Sequence, residues 1–360
     1  MEELAKAYKG RTCFITGADG FIGSHMVEQL VAYGADVWAF VRATSSGELR
    51  NIGHLRSRIR VLRGNLIDKT SVDAAMNELR SGRDTIIFHL AAQAHVGESW
   101  ERPYDTIYSN ILGTLNLLQA IVDSRIKLFK FDMAGTSEEY GNVHPEMKDF
   151  YSFASDGSLV LKENSPVNPK SIYATSKIAA DFLTMNYVDA HGIPGVTTRM
   201  FNNYGPRQNP RYVTGTIISQ ALSRDTIEIG YTNAKRDFCY VSDGVLGHLS
   251  VALFGSPGEV YVYGHGHNIA IREWMEKILE IGRREKFWGD KRVVAEPRRF
   301  RPGKSDVEEL RVDYDKLHSL SKWQPRVSWE EGILRTIRWY AENREQWIGR
   351  VDWREKDAAR

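Results

Sequence analysis

The sequence has little cysteine and little net charge of either sign. Its only two cysteines, Cys13 and Cys239, lie far apart and form no pair motif, so neither a disulfide nor a metal site is predicted. Its 48 lysines and arginines are offset by 46 aspartates and glutamates, which leaves a net charge of +2. Without a basic excess, we do not expect the chain to bind the phosphate backbone of nucleic acid.

Long apolar runs, internal repeats and low-complexity segments are also absent. Charges are scattered through residues 1–17, which contain no run of the length that a signal peptide or a membrane span requires. We therefore expect a cytoplasmic protein that has no membrane partner.

Short apolar runs alternate with helix-length amphipathic stretches through the first half of the chain. This alternation predicts an α/β fold, in which a doubly wound parallel sheet is covered by helices on both faces. Strands buried in this way read as continuous apolar runs, and ligands bind at their carboxyl ends. The predicted strands are Thr12–Thr16, Ala35–Val41, Ile59–Leu62, Thr85–Leu90, Leu128–Ala134 and Gly195–Met200.

The first predicted strand runs directly into a G-x-x-G-x-x-G motif formed by Gly17, Gly20 and Gly23, and an amphipathic helix follows. Glycines at these positions allow a tight turn, close approach of the backbone to a pyrophosphate, and close packing of the helix on the strand. The start of the helix, with Phe21 and Ile22, would present free N–H groups to the phosphates. The motif therefore predicts a Rossmann-type NAD(P) site.

The end of the second strand bears on the choice between NAD and NADP. An acidic residue there would bind the ribose 2′-hydroxyl of NAD, but this chain has Phe40, Val41 and Arg42. Because no carboxylate is present here to repel the 2′-phosphate of NADP, and because Arg42 could pair with that phosphate, NADP is favoured over NAD. Further cofactor contacts are expected after the third and fourth strands, from Asn65, Leu66, Leu90, Ala91 and Ala92.

The amino-acid composition changes after about Phe201, where glycine, proline, asparagine, arginine and tryptophan become more frequent. We predict an NAD(P)-binding domain over residues 1–200, with returning segments at roughly 228–265. Residues 201–360 would then form most of a smaller, substrate-binding C-terminal lobe. The irregular insertion at residues 143–166 is a candidate lid, because long loops of this kind are often functional.

Tyr173 and Lys177 lie four residues apart on a predicted helix that reaches about His191, so both side chains share one helix face. A lysine ammonium close to a phenol lowers the pKa of the phenol, which could then take a proton from a hydroxyl near neutral pH. Tyrosine and lysine have this spacing by chance on many helices. The glycine motif upstream is what favours a catalytic pair here.

The segments TGADGFIG, HLAAQAHV, TSEEYG, YATSK, RMFNNYGPR, KRDFCYV and RFRPGKSDV follow one another along the chain. With them the chain resembles, over nearly its whole length, the extended short-chain dehydrogenase/reductase superfamily and its nucleotide-sugar epimerases and dehydratases. The resemblance implies that Tyr173 is the catalytic acid/base, that Lys177 holds the nicotinamide ribose, and that Thr136 bonds the sugar 4-hydroxyl. It also implies a homodimer or a dimer of dimers, formed through helices equivalent to about Asp105–Val122 and Tyr173–His191.

The residues after Thr136 indicate the subfamily. Epimerases usually carry small or apolar residues there, whereas Glu138 supplies a carboxylate, as in the Thr-Ser-Glu of GDP-mannose 4,6-dehydratases. The dTDP-glucose enzymes carry Thr-Asp-Glu, so Ser137 departs from their pattern and leaves the acid for the departing hydroxyl unassigned. Glu139 replaces an apolar residue that is common in the family, and the sequence gives it no role.

Together these groups fit a 4,6-dehydratase, a lyase with tightly bound NADP or NAD. Tyr173 would take the proton of the 4-hydroxyl while hydride leaves C4, and Glu138 would remove the C5 proton that the 4-ketone makes acidic. Water would leave from C6 and the hydride return there, giving an NDP-4-keto-6-deoxyhexose, with a GDP-mannose-type substrate as the first expectation. The alternatives are a 4-epimerase or 4-reductase with the same Tyr/Lys pair, or a non-catalytic dinucleotide-sensing protein.

The nucleotide-diphosphate sugar is expected at the junction of the two lobes. Arg236 and Arg301 match arginines that family members direct at the diphosphate, where a guanidinium fork suits phosphate oxygens. The expected substrate contacts are Ser137, Asn202, Asn203, Arg207, Arg236 and Arg301.

Overall fold

The computed structural model describes residues 2–44, 46–79, 84–303 and 305–350, so the predicted lobe's last residues, 351–360, lie outside the described residues. The strands are β1 (Thr12–Thr16), β2 (Asp36–Arg42), β3 (Arg60–Gly64), β4 (Thr85–His89), β5 (Leu128–Thr136), β6 (Ser152–Phe153), β7 (Leu159–Val160), β8 (Gly195–Met200), β9 (Asn202–Tyr204), β10 (Thr226–Ile229), β11 (Lys235–Arg236), β12 (Phe238–Tyr240), β13 (Val260–Tyr263), β14 (Ile269–Ala270) and β15 (Arg292–Ala295). Each strand predicted for the first half is present, with ends that differ by at most two residues.

Twelve α-helices lie in the described residues, and none of them is both long and apolar enough to span a membrane. They are α1 (Glu2–Tyr8), α2 (Phe21–Ala32), α3 (Lys69–Glu78), α4 (Val96–Glu101), α5 (Pro103–Ile107), α6 (Gly113–Ser124), α7 (Ile172–His191), α8 (Val213–Ser223), α9 (Val241–Phe254), α10 (Ile271–Arg284), α11 (Asp315–Ser321) and α12 (Trp329–Glu342). A π-helical turn joins α5 to α6.

Seven strands form one sheet in the order β13-β8-β5-β4-β1-β2-β3, and all neighbours in it are parallel. Every residue of β1 and of β4 is buried, because helices cover both faces of the sheet. The direction of winding reverses between β1 and β4. In such sheets ligands bind outside the carboxyl ends of the strands at this point.

The two faces of the sheet carry separate apolar cores. Met26 of α2 and Leu249 of α9 are buried on one face, and Val72 of α3, Leu117 of α6 and Ala180 of α7 on the other. This three-layer arrangement confirms the predicted doubly wound α/β fold.

Helix α7 begins and ends at residues suited to those positions. The hydroxyl of Ser171 accepts the backbone N–H of Ala174 at 3.0 Å, a capping bond worth about 1 kcal/mol. At the other end Gly192 adopts a left-handed φ of +65°. The cap places Tyr173 in the first turn of α7, where the helix meets the end of β5.

A further core holds the smaller lobe together. Trp274 of α10 stacks on Phe238 with ring centroids 4.2 Å apart, and its indole donates to the hydroxyl of Thr214 on α8 at 3.0 Å. Strands β10 and β15 pair in this lobe, and between them the chain returns to the large sheet with α9 and β13.

The insertion at residues 143–166 packs against residues 307–312, which come much later in the chain. Tyr151 and Leu161 share a buried cluster with Val307 and Leu310, and Leu161 forms a parallel β-bridge with Val312.

Candidate active site

A cleft of about 1170 Å³ lies between the carboxyl ends of the large sheet and the smaller lobe. Pockets for single small ligands measure about 300–1,000 Å³, so this cleft has room for a dinucleotide and a second ligand. Every residue predicted to bind cofactor or substrate lines it, except Leu66 and Lys177. Among the described residues, no part of the 143–166 insertion lines the cleft, so the structure does not place the candidate lid over it.

The glycine motif forms the floor of one end of the cleft. Gly17 has a left-handed φ of +68°, and a Cβ there would lie 3.0 Å from the backbone of Ala91, which follows β4. A Cβ on Gly23 would overlap the carbonyl oxygen of Gly17. Gly20 caps α2 without a side-chain hydrogen bond, so the first N–H groups of the helix face the cleft. This cradle fits the pyrophosphate of a dinucleotide.

Leu66 occupies a different environment from the one predicted. Its side chain is 9% exposed and packs in the core beside α3 and α6, while its carbonyl oxygen accepts a hydrogen bond from Asn116. The neighbouring Ile67 is 43% exposed and lines the cleft together with Asn65. Of these two neighbours, Ile67 and not Leu66 presents its apolar side chain to the cleft.

The side chains of Tyr173 and Thr136 both line the centre of the cleft, with their hydroxyls close enough to interact. Burial raises the pKa of Tyr173 above its usual value, the nearby Tyr212 raises it further, and the hydroxyl of Thr136 lowers it. This direction is opposite to the lowering predicted from Lys177, because loss of water around the buried phenol is the largest contribution.

Lys177 lies one helical turn after Tyr173, 4% exposed and outside the lining of the cleft. Burial lowers its pKa, while the carboxylates of Glu139 and Asp181 raise it. The structure thus brings Lys177 to the same helix face as Tyr173 but beneath the surface of the site.

Glu138 faces the cleft in an ion pair with two arginines. Both guanidinium Nη atoms of Arg301 donate to its carboxylate at 3.2 Å, and Arg236 lies 4.0 Å away. Burial opposes ionisation of Glu138, but Arg301 and then Arg236 outweigh it and hold the pKa of Glu138 below its usual value. Burial also lowers the pKa of Arg236 to about 10. A carboxylate that is ionised at neutral pH therefore sits beside the two arginines predicted for the diphosphate.

The remaining substrate candidates lie at the junction of the two lobes. The side-chain oxygens of Asn202 and Asn203 are buried without a hydrogen-bond partner, which suits polar groups that contact a ligand. Arg207 also lines the cleft, where it pairs with Glu28 at 2.6 Å and donates to the hydroxyl of Ser24 at 3.2 Å. Its guanidinium therefore joins the 201–212 segment to α2, and its contact with the sugar nucleotide stays a prediction.

Several residues of the cleft were not found from the sequence. Trp339 of α12, with Gln346 and Trp347 beyond it, lines the far end together with Tyr231 and Arg299. No local pattern marks Trp339, Gln346 and Trp347, because they reach the cleft only through packing of the C-terminal helix on α8 and α10.

The chain is similar to known proteins over most of its length. The model of a family described as GDP-mannose 4,6 dehydratase matches residues 14–336. A dTDP-glucose 4,6-dehydratase of Escherichia coli is 31% identical over 359 residues, covering 92% of this chain and 94% of that protein. The dTDP-D-glucose 4,6-dehydratase of Homo sapiens is 29% identical over 342 residues, covering 92% and 91%. A solved dTDP-glucose 4,6-dehydratase of Streptomyces venezuelae, with NAD bound, has a TM-score of 0.80 and 29% identity, covering 93% of this chain and 98% of that one.

Proposed function

Since the chain belongs to the GDP-mannose 4,6-dehydratase family, we propose that it converts an NDP-hexose to an NDP-4-keto-6-deoxyhexose, using a nicotinamide dinucleotide. The observation that carries this function is the position of Glu138. Its ionised carboxylate shares one cleft with the Thr136–Tyr173 hydroxyl pair and with Arg236 and Arg301. A reaction at C4 alone needs only the hydroxyl pair, whereas removal of water across C5 and C6 needs a second base.

Each residue then has one task in the mechanism. The bound nicotinamide supplies a site that takes a hydride from C4 and returns it to C6. Tyr173 takes the proton of the 4-hydroxyl, and Thr136 orients that hydroxyl. Glu138 removes the C5 proton, which the adjacent 4-ketone has made acidic, and the C6 hydroxyl takes up a proton and leaves as water. C5 regains a proton when hydride returns to C6, so the two protons taken by Tyr173 and Glu138 balance the two that are consumed. Arg236 and Arg301 hold the diphosphate close to Glu138.

The first test is mass spectrometry of the purified protein after incubation, without added cofactor, with GDP-, UDP-, dTDP- and CDP-linked hexoses and N-acetylhexosamines. Loss of one water from a single donor is expected, with the GDP-mannose type as our first choice and dTDP-glucose included because named relatives act on it. A new isomer with unchanged mass would instead indicate a 4-epimerase. Stoichiometric consumption of added NADPH would indicate a 4-reductase, and no change with any donor would favour a dinucleotide sensor.

We also propose that the protein acts in the cytoplasm.

We further propose that NADP is preferred over NAD. Arg42 ends β2 and lines the same end of the cleft as Gly17. Arg42→Ala should weaken NADP binding about tenfold or more and leave NAD binding within twofold, because only NADP carries the 2′-phosphate. Titration calorimetry with both cofactors measures this. Arg60→Ala, at an arginine on β3 outside the cleft lining, is the control, and equal losses for both cofactors would contradict the proposal.

We propose that the protein is a homodimer, or a dimer of dimers, through α7 and the α5–α6 segment. Tyr104, Tyr108 and Leu112 repeat every four residues and are 74%, 50% and 37% exposed, and Phe182 of α7 is 54% exposed. Apolar side chains that repeat along a helix face are typical of an interface. The double substitution Tyr104→Ser and Phe182→Ser should convert the dimer to a monomer in sedimentation experiments. Phe150→Ser, at an equally exposed aromatic elsewhere, should not, and an unchanged mass for the double variant would refute this interface.

A further inference from the structure

One buried carboxylate beside the cleft has no part in the mechanism described above. Asp237 is fully buried between β11 and β12, and its two neighbours along the chain, Arg236 and Phe238, both line the cleft. Side chains of an extended segment alternate between its two sides, so the carboxylate of Asp237 points away from the space for ligands. A buried carboxylate costs free energy unless it is hydrogen-bonded, so its partners show what it holds in place.

Three backbone N–H groups from two distant segments donate to this carboxylate. Its Oδ1 accepts the N–H of His265 at 2.6 Å, and its Oδ2 accepts those of Gly266 at 2.9 Å and Val312 at 3.3 Å. Asp237 therefore clamps the turn that contains His265 and Gly266 to the segment 308–312.

The surroundings of this clamp are tightly packed. A Cβ on Gly264 would lie 2.7 Å from Oδ1 of Asp237 and 2.9 Å from the side chain of Val312. The two clamped segments also bond each other directly, since Nε of Arg311 donates to the carbonyl oxygen of Gly266 at 3.0 Å. The carboxylate therefore has one well-defined position, and the two segments have a fixed spacing around it.

The two clamped segments are the ones that flank Arg236. On one side β14, which follows the clamped turn, pairs antiparallel with β11, and Ile269 lies opposite Arg236. On the other side Lys235 donates its N–H to the carbonyl oxygen of Glu308 at 2.8 Å and accepts the N–H of Leu310 at 3.1 Å. The backbone of Arg236 is thus held between two segments whose spacing the clamp sets.

The guanidinium of Arg236 needs a rigid frame because it is almost completely buried. Its Nη1 donates to the carbonyl oxygen of Lys235 at 2.9 Å, and its Nη2 lies 4.0 Å from Glu138, beyond hydrogen-bond distance. A charge-assisted hydrogen bond to a phosphate oxygen requires a separation of about 2.7–2.9 Å. A small displacement of this strand would therefore weaken the contact of Arg236 with a bound diphosphate.

We propose that Asp237 is a positioning residue, whose carboxylate clamps the two segments that hold Arg236 and so directs the guanidinium at the diphosphate of the sugar nucleotide. This inference rests on the proposed function, since the contact of Arg236 with the diphosphate is part of it. Asp237 does not line the cleft, so it acts through Arg236.

The clamp depends on acceptor oxygens and not on a full negative charge. Burial raises the pKa of Asp237 to about 7, although its three N–H donors and Arg311 oppose this effect. A carboxyl group keeps acceptor capacity in both protonation states. Measurements at about pH 8 keep Asp237 mainly ionised, and they keep Arg236, whose pKa is about 10, protonated.

Asp237→Asn keeps the size of the side chain but replaces one acceptor oxygen by an NH2 group, which would face a backbone N–H. The clamp should loosen, and affinity for a nucleoside diphosphate should fall about tenfold, as for the loss of one charge-assisted hydrogen bond. Affinity for the dinucleotide should stay within twofold of the wild type, because neither clamped segment lines the cleft at its cofactor end.

Titration calorimetry with GDP, UDP, dTDP and CDP, and with the dinucleotide after removal of bound cofactor, measures both affinities. Asp243→Asn is the matched control, because Oδ2 of this second buried aspartate accepts the backbone N–H groups of Arg326 and Val327, both at 2.9 Å. The control variant should unfold at a lower temperature than the wild type but bind the nucleoside diphosphates equally well.

A double variant distinguishes positioning from general damage to the lobe. Arg236→Ala alone should lower affinity for the nucleoside diphosphate about tenfold or more. Adding Asp237→Asn to it should change that affinity by less than about twofold, because the residue that Asp237 positions is already gone. Equal losses from Asp237→Asn with and without Arg236 would overturn the proposal. So would an equal loss for the dinucleotide, or wild-type affinity in the folded single variant.

If Asp237→Asn does not fold, Asp237→Ser, whose hydroxyl still accepts one N–H group, is tested by the same criteria. The readout needs no turnover, so a chain that binds a nucleoside diphosphate but dehydrates no donor would refute the proposed function and leave this result standing. Failure of all four diphosphates to bind the wild type would overturn both.

Discussion

Tyr173→Phe should lower turnover by about 10²–10⁴-fold, the range typical for loss of a general acid/base. Phenylalanine preserves the ring that packs at the start of α7 and removes only the hydroxyl that meets Thr136. Without it, the group assigned to take the proton of the 4-hydroxyl is missing, so formation of the 4-ketone should slow by this factor. The rate of product formation and the absorbance of the reduced nicotinamide, measured in one turnover, should both fall.

The control for this variant lies on the same helix. Tyr187 carries a partly buried ring, and its hydroxyl donates to Gln119 at 2.7 Å, away from the cleft. Tyr187→Phe should therefore keep full turnover. Wild-type rates in the Tyr173→Phe protein would contradict the assignment of Tyr173 as the acid/base.

Glu138→Gln should block dehydration and spare the first oxidation. The amide keeps the shape of the side chain but cannot take the C5 proton, so a loss of about 10²–10⁴-fold in product formation is expected. Because Tyr173 and Thr136 are intact, hydride still leaves C4, and reduced nicotinamide should accumulate in a single turnover. Rapid-mixing absorbance and mass spectrometry of the quenched sugar report the two steps separately.

The pH dependence of dehydration by the wild-type protein also reports on Glu138. Arg301 and Arg236 hold the pKa of Glu138 below its usual value, so its basic form is present at neutral pH and is lost only as pH falls through that lowered pKa.

Glu146→Gln, at an exposed position of the 143–166 insertion, serves as the matched control for Glu138→Gln. Full dehydration by Glu138→Gln, while Tyr173→Phe is inactive, would demote Glu138 to a bystander and contradict its assignment as the base for the C5 proton.

The parts of the site that sequence could predict are local ones. The glycine motif requires its spacing for steric reasons within seven residues, and the Tyr173–Lys177 pair follows from the period of one helix. The sheet was predictable because buried parallel strands read as continuous apolar runs. Leu66 marks the limit of this reasoning, since neighbouring side chains in the loop after β3 point in different directions, and the position facing the cleft belongs to Ile67.

What sequence could not predict depends on contacts between distant segments. Glu138 and Arg301 are separated by 163 positions, and no motif relates them. The burial of Glu139 against Arg199 is set by how the turn after β5 packs on β8, and the sequence alone assigns this residue no role. The 143–166 insertion was a candidate lid by its position, yet its buried apolar residues, such as Tyr151 and Leu161, pack with Val307 and Leu310.

The most direct test of the central claim follows the hydride itself. The donor identified by mass spectrometry would be prepared with deuterium at C4 and converted to product in ordinary water by the protein carrying its own cofactor. Internal transfer predicts that the 4-keto-6-deoxy product retains the deuterium at C6 and that the proton at C5 comes from solvent, as NMR of the product would show. A product without deuterium at C6, or deuterium left at C4 of an isomer, would contradict the dehydratase account.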